Sequence, residues 1–265
     1  MITEPLDVIP ISVLFFAYGF FLWLAMEGGY RLGWWRHAHV TDEKEQPVAA
    51  MVASILGLVA LVLGFTFSLA ASRFDDRRMA VLDEANAIGT AYLRARLLPE
   101  PQRTAISQLL REYVEVRLHV TEKGQAVEAL KRSEELHERL WAQATAAAEK
   151  DSHSIVTGIF VQSLNDVIDL HAKRVLVGMR SRIPLLIWLG LFGLAMLGMA
   201  AVGYQSALWA TRRSPAMVAL VLAFSVVLLL IADLDRGQEG LLRVSHQSLI
   251  DLQKSMQPAQ QQYEP

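Results

Sequence analysis

The sequence predicts an all-α membrane protein: four transmembrane helices, with a helical domain inserted between the second and the third. Three observations carry this. Four apolar blocks contain no charged residue, at residues 9–26, 48–72, 183–210 and 215–232. At a rise of about 1.5 Å per residue, such blocks are of the length a helix needs to cross a hydrocarbon core roughly 30 Å thick. The polar stretch at residues 73–182 spaces its apolar residues three or four apart, and no segment alternates with period two, so no sheet is expected. The second block also passes into that polar stretch without a Gly or Pro. One long helix therefore starts in lipid and ends in water.

Composition agrees and removes whole classes of function. The chain has 265 residues, is 53% hydrophobic and carries a net charge of −2. Near-zero charge gives no reason to expect a nucleic-acid partner. The absence of cysteine excludes disulfides, thiolate metal sites and thiol nucleophiles. The N-terminus, MITEPLDVIP, has acids but no Lys or Arg, unlike the basic start of a secretory signal, so the first block is expected to stay as a span.

Each element has its own signal. The first span, IPISVLFFAYGFFLWLAM, ends at Glu27, Gly28, Gly29, Tyr30 and Arg31, followed by Trp34 and Trp35, residues that a headgroup interface selects. A polar link, His37 to Pro47, precedes the second span. Arg73, Asp75, Asp76, Arg77 and Arg78 then follow without a break, and helix formers continue to Leu98, before Pro99 and Pro101. Gln102 to Lys123 carries Ile106, Leu109, Leu110, Tyr113, Val116 and Val120 on one helical stripe, and Gly124 marks its end. Ala126 to Lys150 forms a second helix with Glu134, Glu135, Glu138 and Arg139 outward. Asp151 or Ser152 is expected to cap a third, whose stripe is Val156, Phe160, Leu164, Val167, His171, Val175 and Met179. Pro184 suits the first turn of the third span. That span carries Gly190, Gly193, Gly198 and Gly203, which are either a close-packing face or the ordinary glycine content of membrane helices. The short turn Thr211 to Pro215 makes the third and fourth spans an antiparallel hairpin. Residues 233–265 form a C-terminal segment, with a short amphipathic stretch from Leu241 to Lys254 and a Gln-rich, disordered tail from Ser255.

Lys and Arg near the span ends set an orientation. Arg31, Arg36, Lys44, Arg212 and Arg213 fall on one side. Arg73, Arg77, Arg78, Lys173, Arg174, Arg180, Arg182, Arg236 and Arg243 fall on the other. The longer list places the helical domain and both termini in the cytoplasm.

Four runs, LGFTFSLAASRFDDRR, EANAIGTAYLRARLLP, LNDVIDLHAKR and DLDRGQEGLLRVS, occur in an order that resembles the bestrophin-like domain family of bacterial membrane proteins. They are spread along the chain from Leu63 to Ser245. The family is remotely similar to bestrophin anion channels, which are pentamers of helical subunits with a cytosolic domain between spans two and three. The resemblance implies a homo-oligomer in the bacterial inner membrane, a pentamer by analogy, with small anions of the chloride or bicarbonate class and membrane lipid as its partners. One departure is local: the family usually has a Pro after DLDR, where this chain has Gly237.

The pore-lining candidates are Phe65, Thr66, Phe67 and Ser68, near the end of the second span. Hydroxyls there would meet a dehydrated ion, and the Phe rings would form a constriction or present their edges to an anion. Successive positions are about 100° apart, so all four cannot face one lumen. The competing reading has the hydroxyls bonded back to their own helix and the rings packed on lipid or another span. Arg73, Arg77 and Arg78 would enrich anions at a cytosolic mouth.

Asp233, Asp235 and Glu239 leave the fourth span together and are candidates for a cation site or an ion-pair cluster. Animal bestrophins place a calcium-binding acidic cluster after their last span. Here the spacing is not that of an EF-hand, Arg236 stands among the acids, and the ion-pair reading is preferred. His171 has no second ligand one turn away and is read as a core histidine. His37 and His39 in the first link are weak metal candidates, and no metal or cofactor is expected. Paired acids such as Asp83 and Glu84 read as solvated helix faces. No phosphate loop, metalloprotease helix or nucleophile elbow occurs, so an enzyme is not expected. The alternative to a channel is a non-conducting scaffold whose cytosolic helices bind a partner. It would be marked by an exposed apolar stripe on Ala126 to Lys150.

Overall fold

A computed structural model describes residues 9–39, 45–119, 126–180, 182–209, 214–236 and 240–257. They form eight α-helices and one π-helical turn: α1 (Ile11–His39), α2 (Glu45–Ala95), α3 (Gln102–His119), α4 (Ala126–Lys150), α5 (Ile155–Val175), the π turn Leu176–Arg180, α6 (Leu185–Leu208), α7 (Pro215–Arg236) and α8 (Gln247–Ser255). No strand occurs among the described residues. Four helices, α1, α2, α6 and α7, are long and apolar enough to cross a membrane. The chain divides into two compact units.

The first unit holds α1, α2 as far as Phe74, and the chain from Arg182 to Leu242. Its core is made by the inward stripes of four helices, with Leu22 of α1, Val59 of α2, Ala195 and Met199 of α6 and Leu228 of α7 all buried. The helix α1 packs along both α6 and α7. The expected link from His37 is helical as far as His39, and Pro47 lies in the first turn of α2, where its missing N–H costs nothing. Residues 40–44 lie outside the described residues, as do 211–213 of the turn expected between the third and fourth spans.

Glycine sets how closely α1 and α6 approach. A Cβ on Gly29 would lie 1.9 Å from the carbonyl oxygen of Ala200, and one on Gly203 would lie 2.0 Å from that of Met26. Gly33 is nearly as close, 2.5 Å from Tyr204 O. Backbone meets backbone here, the contact that small residues permit in lipid. The four glycines of α6 therefore divide. Gly203 packs on α1 and Gly198 on Val59 of α2, while a Cβ on Gly190 or Gly193 would meet nothing within 4 Å. The glycines of α1 extend this contact past Met26, where the apolar block stops.

The second unit holds α2 from Asp75, α3, α4, α5 and α8. Ile88 of α2, Leu110 of α3, Leu136 and Leu140 of α4, Phe160 and Leu164 of α5 and Leu249 of α8 share one core. The stripes expected on α3 and α5 are the buried ones at Ile106, Leu109, Leu110 and Tyr113, and at Phe160, Leu164, Val167 and His171. Val120 and Gly124 lie outside the described residues. The outer face of α4 is exposed at Glu134, Glu135, Glu138 and Arg139.

Other boundaries also differ from expectation. The N-cap of α5 is Ser154, not Asp151 or Ser152, because the Ser154 hydroxyl accepts the Thr157 N–H at 3.2 Å. Asp151 instead accepts the His153 N–H at 3.1 Å, closing the turn before the cap. The α2 helix ends at Ala95, and tighter bonds from Leu97 N to Arg94 O and from Leu98 N to Ala95 O lead to Pro99. After α7, Leu241 and Leu242 are exposed and not helical, and the amphipathic helix begins only at Gln247. Most of the Gln-rich tail lies outside the described residues.

Candidate functional site

On α2, the second apolar helix, a narrow buried stripe separates inward from outward positions. Val59, Leu63, Thr66 and Ala70 face the core of their own chain. Thr66 donates its hydroxyl to Val62 O at 2.8 Å, so that group is bonded within its own helix. Phe65 and Phe67 point outward, at 68% and 41% exposed, and Ser68 is exposed as well. At about 100° per residue, Leu61, Ser68 and Ser72 lie opposite the buried stripe, Gly64 and Phe65 lie to either side of that direction, and Phe67 lies nearer the stripe. All of these are exposed. Further along, Arg78 is exposed, Arg77 is buried and Arg73 lies between the two.

The acids after the fourth apolar block belong to the helix itself. Asp233 and Asp235 are both in the last turn of α7 and both buried. Asp233 accepts two backbone N–H groups, from Leu241 at 2.7 Å and from Leu242 at 3.0 Å. A Cβ on Gly240 would fall 2.0 Å from Asp233 Oδ1, so glycine is what lets the returning chain reach that carboxylate. Asp235 accepts the Ile183 N–H at 3.0 Å, and Arg182 donates to the Asp235 carbonyl. Arg236 donates to Ile9 O at 2.7 Å. The two carboxylates thus satisfy backbone amides at the ends of α6 and α7. Glu239 and Gly237 lie outside the described residues, and no cluster of three or more potential metal ligands occurs among those described.

The most elaborate chemistry in the second unit lies where an ordinary solvated face was expected. Glu84 is 0% exposed and is the centre of a buried knot, whereas Asp83, its neighbour, does lie toward solvent and pairs with Lys173 at 3.2 Å. Arg117 Nε donates to Glu84 Oε1 at 2.9 Å and Tyr113 donates to the same oxygen at 3.1 Å. Arg174 donates to Oε2. Having given its one proton to Glu84, the Tyr113 hydroxyl accepts at 3.0 Å from His171 Nδ1, which is the tautomer this network requires. His137 closes the group, its ring tilted at 42° to that of Tyr113 with centroids 5.0 Å apart and edge-on to His171 at 4.9 Å.

The environment fixes the charges. Burial by itself would raise the Glu84 carboxyl, but the His171 ring, Arg174 and Arg117 outweigh it and hold the group far below the usual carboxylate range. Burial, reinforced by Glu84, pushes the Tyr113 hydroxyl well up, so it stays a donor. Burial, helped by His171 and Arg117, pushes His137 down to about 4. His246, before α8, is pushed down to about 4 by burial and by Arg174 and Arg117. His171 is therefore bonded within the core, as its place on the α5 stripe implied. A readable signal for the rest existed: Glu84, Arg117 and Arg174 each occupy a position that continues an apolar stripe, on α2, α3 and α5.

Four apolar helices with a helical unit inserted between the second and third define an all-α membrane protein of bestrophin architecture. The bestrophin-like domain model matches residues 19–249, and the chain belongs to that family. Solved structures agree on the fold. A crystal structure of a bacterial bestrophin homologue from Klebsiella pneumoniae superposes with a TM-score of 0.63 at 15% identity, covering 92% of this chain and 98% of that one. A crystal structure of a membrane protein gives a TM-score of 0.65 at 13% identity, covering 89% and 96% of the two chains. No curated protein matches the sequence at a significant level.

Proposed function

We propose that this chain is the subunit of a homo-oligomeric channel, a pentamer by analogy with bestrophins, that passes small anions of the chloride or bicarbonate class along α2. The observation that carries the reading is the outward face of that helix. Leu61, Ser68 and Ser72 lie opposite its buried stripe with Gly64 and Phe65 beside them, and no helix among the described residues covers them. Four spans enclose little room, so a conducting path forms around a symmetry axis between subunits. Gly64, Ser68 and Ser72 leave width for an ion on this face, Ser68 offers a hydroxyl, and the Phe65 and Phe67 rings narrow the path. Thr66 backs this face from inside the bundle. Of the arginines that follow, Arg78 is exposed and raises the local anion concentration at the mouth, whereas Arg77 is buried and Arg73 half-buried on the side of the inward stripe. Asp233 and Asp235 serve the fold at the end of α7 rather than binding a cation.

The protein sits in the bacterial inner membrane with both termini and the inserted helical unit in the cytoplasm, as the Lys and Arg distribution supports. Transport, not catalysis, is its activity. The scaffold alternative needs an apolar stripe on α4. Among the described side chains the large exposed apolar residues there are Val127 and Trp141, and Glu134 stands between them.

The test is ion flux from proteoliposomes containing the purified protein, with chloride, nitrate, bicarbonate and potassium compared and the oligomer size measured in parallel. The expected result is anion-selective flux that rises in Phe67→Ala, falls in Ser68→Phe and loses selectivity in Arg78→Glu. A folded oligomer that passes none of these ions overturns the channel reading.

A further inference from the structure

Glu84, Arg117 and Arg174 place two guanidiniums and one carboxylate in the core of the inserted helical unit, a buried surplus of one positive charge. His137 of α4 is the neighbour that would have to carry any further charge. Its Nε2 is buried and has no hydrogen-bond partner among the described residues, and Arg117 Nη1 is likewise buried without one. The groups acting on the ring are Arg117 and Tyr113 of α3, His171 of α5, and Glu84 of α2. A single carboxylate, already shared by Arg117, Arg174 and Tyr113, thus faces every cation of the group.

We propose that this cluster is an acid-sensitive latch, in which protonation of His137 adds a third cation to the buried site and releases α4 from α3 and α5. The apolar contacts that α4 gives up on release are those of Leu136, Leu140 and Ala144, which are buried in the shared core. Neutral His137 fits because its single N–H can sit on Nδ1, leaving an unprotonated Nε2 buried in the core. The charged ring carries a proton on Nε2 as well, and that atom has no hydrogen-bond partner among the described residues. Release of α4 exposes the ring to water, where it titrates near its ordinary value of 6.5, while in the packed state it is held down to about 4. The packed state is therefore fully favoured above pH 6.5 and loses ground as pH falls from there toward 4. At pH 5 the ratio of released to packed α4 rises by roughly 20-fold over its value at neutral pH. The latch lies wholly in the inserted unit and does not depend on whether the chain conducts ions.

Hydrogen exchange of the full-length protein in nanodiscs, from about pH 7.5 to 4.5 and corrected for the intrinsic pH dependence of exchange, tests this. The expected result is that protection of α4 falls by about an order of magnitude or more by pH 5, while α1 and α6 keep theirs. In His137→Phe and in the polar His137→Gln, α4 protection becomes independent of pH. Two variants are used so that misfolding of one leaves the other to decide. A pH-independent wild type, or a fall that persists in either folded His137 variant, overturns the proposal. So does a fall that is abolished only by His246→Phe.

Discussion

Replacing Glu84 by Gln removes one charge and almost no volume, so the change isolates the electrostatics of the buried knot. In the native protein the carboxylate is 0% exposed, and the guanidiniums it holds are scarcely more so, Arg117 at 1% and Arg174 at 8%. The substituted amide would keep one acceptor oxygen for three donors, and two cations would be left in the core without a counter-charge. Breaking a buried pair by removing one partner costs about 3–5 kcal/mol, chiefly because the remaining charge is uncompensated. For a unit of this size, 1 kcal/mol corresponds to a shift of a few degrees, so the apparent melting temperature of the inserted unit should fall by roughly 10 °C or more. The measurement is thermal unfolding of the full-length protein in detergent, followed by helix content, together with hydrogen exchange of α2, α3 and α5. The acid limb carries a second signature. Because the folded carboxyl lies below its ordinary value of 4.5, its contribution is present above that value and is lost as pH falls toward the lower folded value. Glu84→Gln should remove that part of the acid sensitivity. The double variant Glu84→Gln/Arg174→Gln should recover part of the loss, since it removes one stranded cation. A melting temperature within about 2 °C of wild type, well short of the shift a broken buried pair implies, would refute the view that the knot is a charged, mutually dependent unit.

Two further outcomes are expected. Gly29→Ala puts a methyl group 1.9 Å from a backbone oxygen of α6, whereas Gly190→Ala meets nothing within 4 Å. The first should cost the detergent-solubilised protein its monodispersity on size exclusion or many degrees of melting temperature. The second should be neutral, or favourable by up to about 1 kcal/mol through helix propensity, and equal behaviour of the two would contradict the α1–α6 contact. Asp233→Ala strands two backbone N–H groups that bond to a carboxylate, each bond worth roughly 1.5–3 kcal/mol. Limited proteolysis should then cut at residues 240–246 faster than in wild type, with Asp233→Asn intermediate because its one carbonyl oxygen can still accept.

The number, type and order of the elements were legible in the sequence because they rest on local periodicity. Charge-free runs of span length, a 3.6-residue stripe on α3 and α5, and Pro99 after α2 are properties of neighbouring residues, and the chain needs no partner to express them. The outward face of α2 is partly local as well, since helical geometry alone forbids Phe65 to Ser68 from sharing one direction. The cap at Ser154 is not legible in sequence because Asp151, Ser152 and Ser154 all carry capping side chains, and only backbone direction chooses among them.

Other features belong to the tertiary structure. Glu84 has the polarity of a surface residue, and what buries it are Arg117 and Arg174, 33 and 90 positions away. A buried charge exists only where its counter-charges are delivered, and that delivery is a property of how α2, α3 and α5 pack. Asp233 is conspicuous in sequence as one of several acids, yet its role came from the Leu241 and Leu242 amides folding back over it. In sequence Gly29 belongs to the interfacial end of a span, and only its contact with Ala200 of α6 makes it indispensable. Hydropathy and period fix which segments are helices and which faces are apolar, because those follow from side-chain solvation along one chain segment. Which charge meets which, and which glycine is indispensable, are decided by close contacts between segments distant in sequence.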